Sequence, residues 1–549
     1  TKFREFLPVG FWIGLTFALH HFLGYMVILS AGLLLLTAWP LGFIQFRRTI
    51  LLLIVIGLFV SLTSGYQLLS IFQDRALILP HNVYEPVARL NGFGFTWVLK
   101  SLFQGSVIDW ARLPVMSSLA LAGTLIFIKH RDRSGMAILL LLAAGLFLMG
   151  GRVTFGTRLN WVPGFSAFHL ERALELVHFC LILLTARGAE LLWSGTGLGS
   201  PVLWKSLAFR LGSFLTLVFA SIYPLVERMD FVRYQEHLNS VGEQERQHLD
   251  PQIFGSIQEE LSRGSLYSIL SNPASAFGQL IDLSPRVAGI PLVHIASFYD
   301  YPQMGDAENH GNYSSEAIGL FRYKRKFHYR LFNVSAVILL KDTTPPDFLK
   351  KVHSSGNFSV YTTPAMGMFD VVGVPSIEII PSTDIYFDAI TPWLLGSDAE
   401  QGHYPAIIPK NVVDRFPRSV PPLSSLERAQ GKWIWGEVIS WKRIRSGHYE
   451  ALMNKRQPTS LGLLRTGYHP RWNIVVNGST RIPRWVGHGL LGFELDSGIN
   501  DVRIEFPSDP LRSLLFLISL FTIGSCGTFL VFPWMARLYR LVRSAVSHR

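Results

Sequence analysis

Apolar residues in this chain are gathered into runs about as long as a bilayer is thick, and a run of that kind leaves little choice of fold. In hydrocarbon no water can satisfy a backbone N–H or C=O, so a spanning segment closes its own hydrogen bonds as an α-helix. About 20 apolar residues cover the core. Residues 6–45 are apolar for 40 positions, too long for one crossing, and Pro8, His20, His21, Gly24 and Pro40 punctuate them. Two passes are predicted there, over 6–20 and 24–44, with a turn near the two histidines. A third run, 50–69, follows Arg47 and Arg48. Runs at 115–128 and 136–149 flank a basic loop, 173–192 and 208–225 come next, and 513–532 is the last, which makes eight crossings.

Charge placement orients these crossings. Cytoplasmic loops carry the excess of Lys and Arg. With eight crossings, one side collects Arg47 and Arg48, then Lys129, Arg131 and Arg133, then Arg187, Lys205 and Arg210, and finally the arginine-rich tail. The loops 70–114 and 151–172 and the long segment 226–510 fall on the other side. The expectation is a multi-pass protein of the bacterial cytoplasmic (inner) membrane, in contact with membrane lipids, with 226–510 extracytoplasmic and both visible ends inside. A net charge of +12 raises nucleic acid as a partner. The excess sits in the loops and the tail, which fits orientation and not a phosphate-binding face, so no nucleic acid is expected.

Three domains follow: 1–225, a bundle of about seven helices; 226–510, an extracytoplasmic α+β domain; and 511–549, a terminal helix with a basic cytoplasmic tail. Within 226–510, the Glu-, Gln- and Arg-rich segment 235–263 reads as helical. Period-two alternation marks strands at 336–340, 358–362, 434–441, 473–476 and 502–506, with Pro and Gly between them. One or two β-sandwiches are expected. Cys180 and Cys526 both lie in apolar runs, so no disulfide framework or thiol metal site is available. Phosphate-loop, dinucleotide-fold, zinc-protease and nucleophile-elbow signatures are all missing, which removes support for ATP-driven transport, nucleotide redox chemistry and zinc proteolysis.

Several stretches carry a family resemblance. One is Gly467-Tyr-His-Pro-Arg-Trp-Asn-Ile-Val-Val-Asn-Gly478, followed by Val502-Arg-Ile-Glu-Phe506 just before the last crossing. Others are Arg330-Leu-Phe-Asn-Val-Ser-Ala-Val-Ile-Leu-Leu340 with Pro346-Asp-Phe348 and Val360-Tyr361. A further one is Val162-Pro-Gly-Phe-Ser-Ala-Phe-His-Leu-Glu-Arg172, leading into a Leu-rich helix that passes Ala186-Arg-Gly188. In this order and spacing they resemble the YfhO-like bacterial membrane proteins of the GT-C glycosyltransferase superfamily.

That resemblance implies a GT-C-like helical bundle with an extracytoplasmic β-rich, sandwich-containing domain in the cell envelope. It implies transfer of a sugar from a polyprenyl-phosphate carrier to an extracytoplasmic glycan or polymer. The family typically uses an acidic residue in the first extracytoplasmic loop as base or metal ligand. If the chain is catalytic, a divalent metal ion is the one cofactor to consider; none is certain. The first visible outer turn, at His20 and His21, has no carboxylate, and the chain opens at Thr1 without Met. Two expectations stay open: helices bearing the acid precede Thr1, or the acid has been lost. Glu85 and Asp109 are then the substitute bases, although simple solvation is the plainer reading of both.

Arg172 aligns with the family's arginine at the start of the Leu-rich helix and is the first choice for the donor phosphate, with Arg152 and Arg158 second. His169, standing where the family favours Arg, and Glu175 complete the cavity set. The plainer readings are that these arginines reach headgroups or pair with Glu171 and Glu175, and that Arg187 pairs with Glu190 three residues on. Trp433, Trp435, Trp441, Trp472 and Trp485 suit a sheet core better than a sugar platform. The competing function is a non-catalytic structural or accessory subunit of a membrane complex that keeps the GT-C-like scaffold.

Overall fold

Apolar runs become helices wherever they can be followed. The structure, a computed structural model, describes residues 3–19, 21–38, 46–77, 91–109, 114–130, 132–161, 170–194, 265–268, 317–322, 324–340, 344–355, 358–363, 367–422, 436–445 and 447–547, with a few isolated positions besides. The segment 235–263 and nearly all of the expected crossing 208–225 lie outside the described residues. Contacts divide the chain into two units: Thr1–Gln73, Pro86–Asp230 and Asp509–Arg549 form the first, and Asp74–Glu85 with Phe231–Ser508 the second.

The first unit holds α1 (Phe3–Leu19), α2 (His21–Ala38), α3 (Phe46–Asp74), α4 (Phe95–Phe103), α5 (Val115–His130), α6 (Arg133–Phe155), α7 (Ala173–Ser194) and, at the far end of the chain, the 38-residue Pro510–Ser547. Among the described residues, Phe46–Asp74, Ser134–Phe155 and Pro510–Thr528 are long and apolar enough to cross a membrane, while Leu7–Leu19 and Val115–His130 are shorter apolar helices. The chain is a membrane protein on this evidence. Two details depart from the sequence reading. The connection 70–114 contains α4, whose run of apolar residues is too short to span but buries Val98 against its neighbours. The terminal helix also continues 15 residues past 532, because nothing after Pro533 interrupts a stretch of good helix formers.

Close approach holds this unit together. A Cβ on Gly123 of α5 would stand 2.0 Å from the Leu184 carbonyl oxygen, and one on Gly188 of α7 would stand 2.0 Å from that of Leu119. Such small residues let helix backbones touch where lipid supplies no hydrophobic drive. At the start of α6, the Asp132 carboxylate accepts from the backbone N–H groups of Ser134 and Gly135, capping the helix. Near its end Gly151 takes φ 58°, a left-handed value that kinks the chain.

The second unit is built on four sheets. The first has the order β1 (Ser265–Ser268), β2 (Val334–Leu340), β4 (Phe358–Thr362), β3 (Lys350–Ser355), with β1 parallel to β2. The second runs β13 (Arg484–Val486), β14 (Leu490–Glu494), β10 (Leu461–Gly467), β5 (Phe369–Val372). The third runs β12 (Ser479–Arg481), β11 (Asn473–Val476), β15 (Gly498–Glu505), β9 (His448–Lys455), β8 (Gly436–Arg445). A parallel pair, β6 (Ile377–Ile380) and β7 (Ala406–Pro409), forms the fourth. Short helices α8 (Lys326–Leu331), α9 (Tyr386–Leu394) and α10 (Lys410–Arg415) connect them.

The alternation read from the sequence carries into the register. Ile474 lies opposite Ile504 and Val476 opposite Val502, all four fully buried, and the Trp472 ring meets Phe506 edge-on at 4.9 Å. Asn477 and Gly478, at φ 50° and 80°, turn β11 into β12, as expected of an Asn-Gly hairpin. Phe369 of β5 packs against Trp441 of β8 and Tyr449 of β9, so the second and third sheets share one core. Trp472 and Trp485 are core residues, at 2% and 1% exposure.

Inside that core lies an ionic cluster. Arg465, fully buried, bonds Asp370 Oδ2 at 2.5 Å and donates through Nη1 to the carbonyls of Gly367 and Phe369. Arg330 meets the same carboxylate through Nε at 3.0 Å and Nη2 at 2.8 Å. The neighbouring Asp370 raises the Arg330 pKa, which keeps the guanidinium charged. Removing the one anion would strand the buried Arg465 and take the carboxylate from the half-buried Arg330. Asp370→Ala should therefore destabilise this unit by about 3–5 kcal/mol, read as a lowered denaturant midpoint in detergent-solubilised full chain.

Two buried histidines set a pH limit. His328 Nδ1 accepts from the Arg322 backbone N–H and Nε2 donates to the Leu394 carbonyl, which fixes the neutral ring. Burial pushes His328 down to about 4 and His488 down to about 3, helped by Arg325 in the first case and by His328 in the second. Between the ordinary value near 6.5 and these values the unfolded chain binds more protons, so stability is complete above that range and lost as pH falls through it. The expected slope reaches about 1.4 kcal/mol per pH unit per histidine. Thermal unfolding of the second unit from pH 7 to 4.5 checks this, and His328→Gln/His488→Gln should flatten the slope.

Candidate functional site

The candidate residues sit at turns where apolar helices begin or end. Glu85 and His169 lie outside the described residues. Arg152 follows the Gly151 kink in the last turn of α6 and is half-buried. Arg158 is exposed in the 3-10 turn Gly156–Trp161. Arg172 is exposed at the end of the 3-10 turn Leu170–Arg172, which feeds α7, and Glu175 is exposed in the first turn of α7. A carboxylate there also complements the partial positive charge of a helix N-terminus. Arg152 and Arg172 both have interaction partners, so neither is a free cation.

Two of these segments are drawn together by apolar packing. Leu159, next to Arg158, and Leu170, two residues before Arg172, share one small core with Leu148, Phe155, Tyr25 and Leu29. The 3-10 turns bearing the two exposed arginines are thus neighbours. That arrangement presents cationic forks of the kind that bind phosphate oxygens. Further along α7, His178 Nε2 donates to the Val107 carbonyl at 2.6 Å, which anchors the turn bearing Asp109 one helical turn from Glu175.

Asp109 itself is buried and occupied. Its Oδ1 accepts from the Met116 N–H at 2.8 Å, and its Oδ2 accepts from the Ser117 N–H at 3.0 Å and from the Ser117 hydroxyl. This is a helix cap reaching forward from the preceding turn onto the first residues of α5. Arg187 and Glu190 are paired, as their spacing suggested, with Arg187 also 5.7 Å from the centre of the Phe127 ring. Among the described residues no group of three or more His, Cys, Asp or Glu could hold a metal ion.

The Gly467–Trp472 motif has a structural use that sequence reasoning missed. His469 Nε2 donates to Asp74 Oδ1 at 2.9 Å while Nδ1 accepts from the Arg471 N–H at 3.1 Å. Trp472 Nε1 donates to the Gly467 carbonyl, and the Arg471 guanidinium stands 5.5 Å from the centre of the Phe506 ring. Both ring nitrogens of His469 are engaged, so the imidazole fastens together residues 395 apart in sequence. A histidine just ahead of a proline was the available signal.

No protein-family description matches the sequence, and no curated protein matches it. Among solved structures, the single-particle cryo-EM structure of arabinofuranosyltransferase AftD from mycobacteria aligns with 92% of this chain and 45% of that one, at 11% identity and a TM-score of 0.38. The chain spans less than half the length of that protein. A likeness this faint carries no argument about fold or chemistry.

Asp109 offers a clean separation of roles. Asp109→Ala should cost about 1–2 kcal/mol through loss of the α5 cap, while Asp109→Asn, which keeps an accepting oxygen, should cost less. Thermal unfolding of the two variants in detergent measures the difference.

Proposed function

We propose that this chain is a GT-C-like membrane glycosyltransferase that moves a sugar from a polyprenyl-phosphate carrier to an extracytoplasmic glycan or polymer. The observation that carries the reading is the C-terminal pairing. The two strands on which the YfhO-like resemblance rests, β11 and β15, lie in antiparallel register and lead within five residues into the last apolar helix. In the full reading eight helices cross the cytoplasmic membrane, the 226–510 region lies outside, and its sheets form sandwiches.

The roles then follow from position. Arg172 holds the donor phosphate at the outer membrane surface, with Arg158 on the neighbouring turn and Arg152 as second choices. His169 and Glu175 line the same cavity. The base takes the acceptor hydroxyl proton as the lipid phosphate leaves. Because every acceptor bond of Asp109 found here goes to the start of α5, Glu85 is the preferred base of the two. No described residues gather into a set that fits a divalent ion, so no step is routed through one.

The capping role of Asp109 favours one other reading, a non-catalytic accessory subunit that keeps the same scaffold. Arg172→Ala separates the two. A transferase should lose donor affinity by about 2–4 kcal/mol, the worth of one or two charge-assisted hydrogen bonds, with protein level and membrane insertion unchanged. Equal binding of a polyprenyl-phosphate sugar by parent and variant, or by neither, would leave the accessory reading.

A further inference from the structure

The terminal helix, which we label α11 (Pro510–Ser547), is longer than a membrane requires. Its 38 residues extend about 57 Å at about 1.5 Å per residue, against about 30 Å of hydrocarbon. The apolar run ends at Phe532, and Pro533 and Trp534 follow, Trp being a residue type enriched at membrane interfaces. The backbone remains helical for a further 13 residues, 535–547. That extension has its own pattern. At about 100° per residue, Arg537, Arg540 and Arg543 fall within one third of the helix circumference, with Ser544 and Ser547 among them. Leu538, Leu541, Val542, Ala545 and Val546 fall on the opposite side. No Asp or Glu occurs after Asp509, so nothing within the segment neutralises the arginines.

We infer that residues 536–547 form an interfacial lipid-binding helix whose arginine stripe takes the phosphate headgroups of an anionic phospholipid surface. A basic stripe, an apolar stripe and an anchoring aromatic are the three features that place a helix at a membrane interface. The occupant is the membrane that α11 itself crosses, because the stripe begins within two turns of the end of the apolar run. Charge complementarity selects its acidic lipids: each cation near such a surface contributes about 1 kcal/mol, and three give about a hundredfold preference. This inference does not depend on the transfer reaction.

The test uses the full chain in nanodiscs of phosphatidylcholine, alone or with about one third phosphatidylglycerol. Hydrogen exchange of the 536–547 amides should slow at least tenfold in the anionic discs, and salt near 1 M should remove the gain by screening. Arg537→Gln/Arg540→Gln/Arg543→Gln should exchange at the same rate in both lipids. Equal protection of the parent in both lipids would overturn the inference and point to a protein partner or to the rest of the chain as the cover. Lipid dependence that survives the triple substitution would also overturn it. Should the triple variant fail to insert, Arg540→Gln alone and the salt titration of the parent decide the matter by the same two outcomes.

Discussion

Asp370 is the charge around which the second unit is organised. Its carboxylate is shared by Arg330 from α8 and Arg465 from β10, while Asp370 itself belongs to β5. Three elements that are far apart in sequence are thereby fixed at one point. Taking three charges out of water is expensive, and hydrophobic residues of similar volume would serve stability as well. What the ions supply is direction. Arg465 reaches the carbonyls of Gly367 and Phe369, so the approach to β5 can bond correctly in only one place along β10. Tyr404 is packed beside the cluster, where burial pushes its phenol up to about 12.

The first unit solves a different problem with different means. A hydroxyl inside an apolar helix has no water to bond, and Thr63, Thr124 and Ser519 each donate to the carbonyl four residues back in their own helix. Thr185 does the same and also lies within reach of the Met116 carbonyl, adding a polar tie to the Gly123 and Gly188 contact between α5 and α7. With backbone and hydroxyls satisfied, packing distance decides which helices associate, and glycine sets the shortest distance.

The candidate site is shaped by this same economy of polar groups. The turns bearing the exposed Arg158 and Arg172 are brought together by the packing of two leucines, Leu159 and Leu170. Asp109, one of the two carboxylates read as a substitute base, is engaged at both oxygens, because the start of α5 leaves backbone donors that a buried turn must satisfy. Polar chemistry near the helix ends is therefore divided between groups that hold the fold and groups left facing outward.

The sequence by itself determined the elements. Hydrocarbon permits only closed hydrogen bonding, so the apolar runs declared α3, α6 and the terminal helix, and period-two alternation declared β2, β4, β11 and β15, the last two with alternate residues buried. Spacing was enough for the local pair Arg187 and Glu190, because three residues along a helix is a fixed distance. Spacing could not show that Asp109 would be spent as a cap, since that depends on a tight turn placing it over residues seven and eight positions ahead. Nor could it join Asp74 to His469, or Arg330 and Arg465 to Asp370, since a side chain carries no record of a partner that only folding delivers. Covalent order and solvent chose the helices and strands; the burial of charge, which requires a partner at bonding distance, was decided by the tertiary structure.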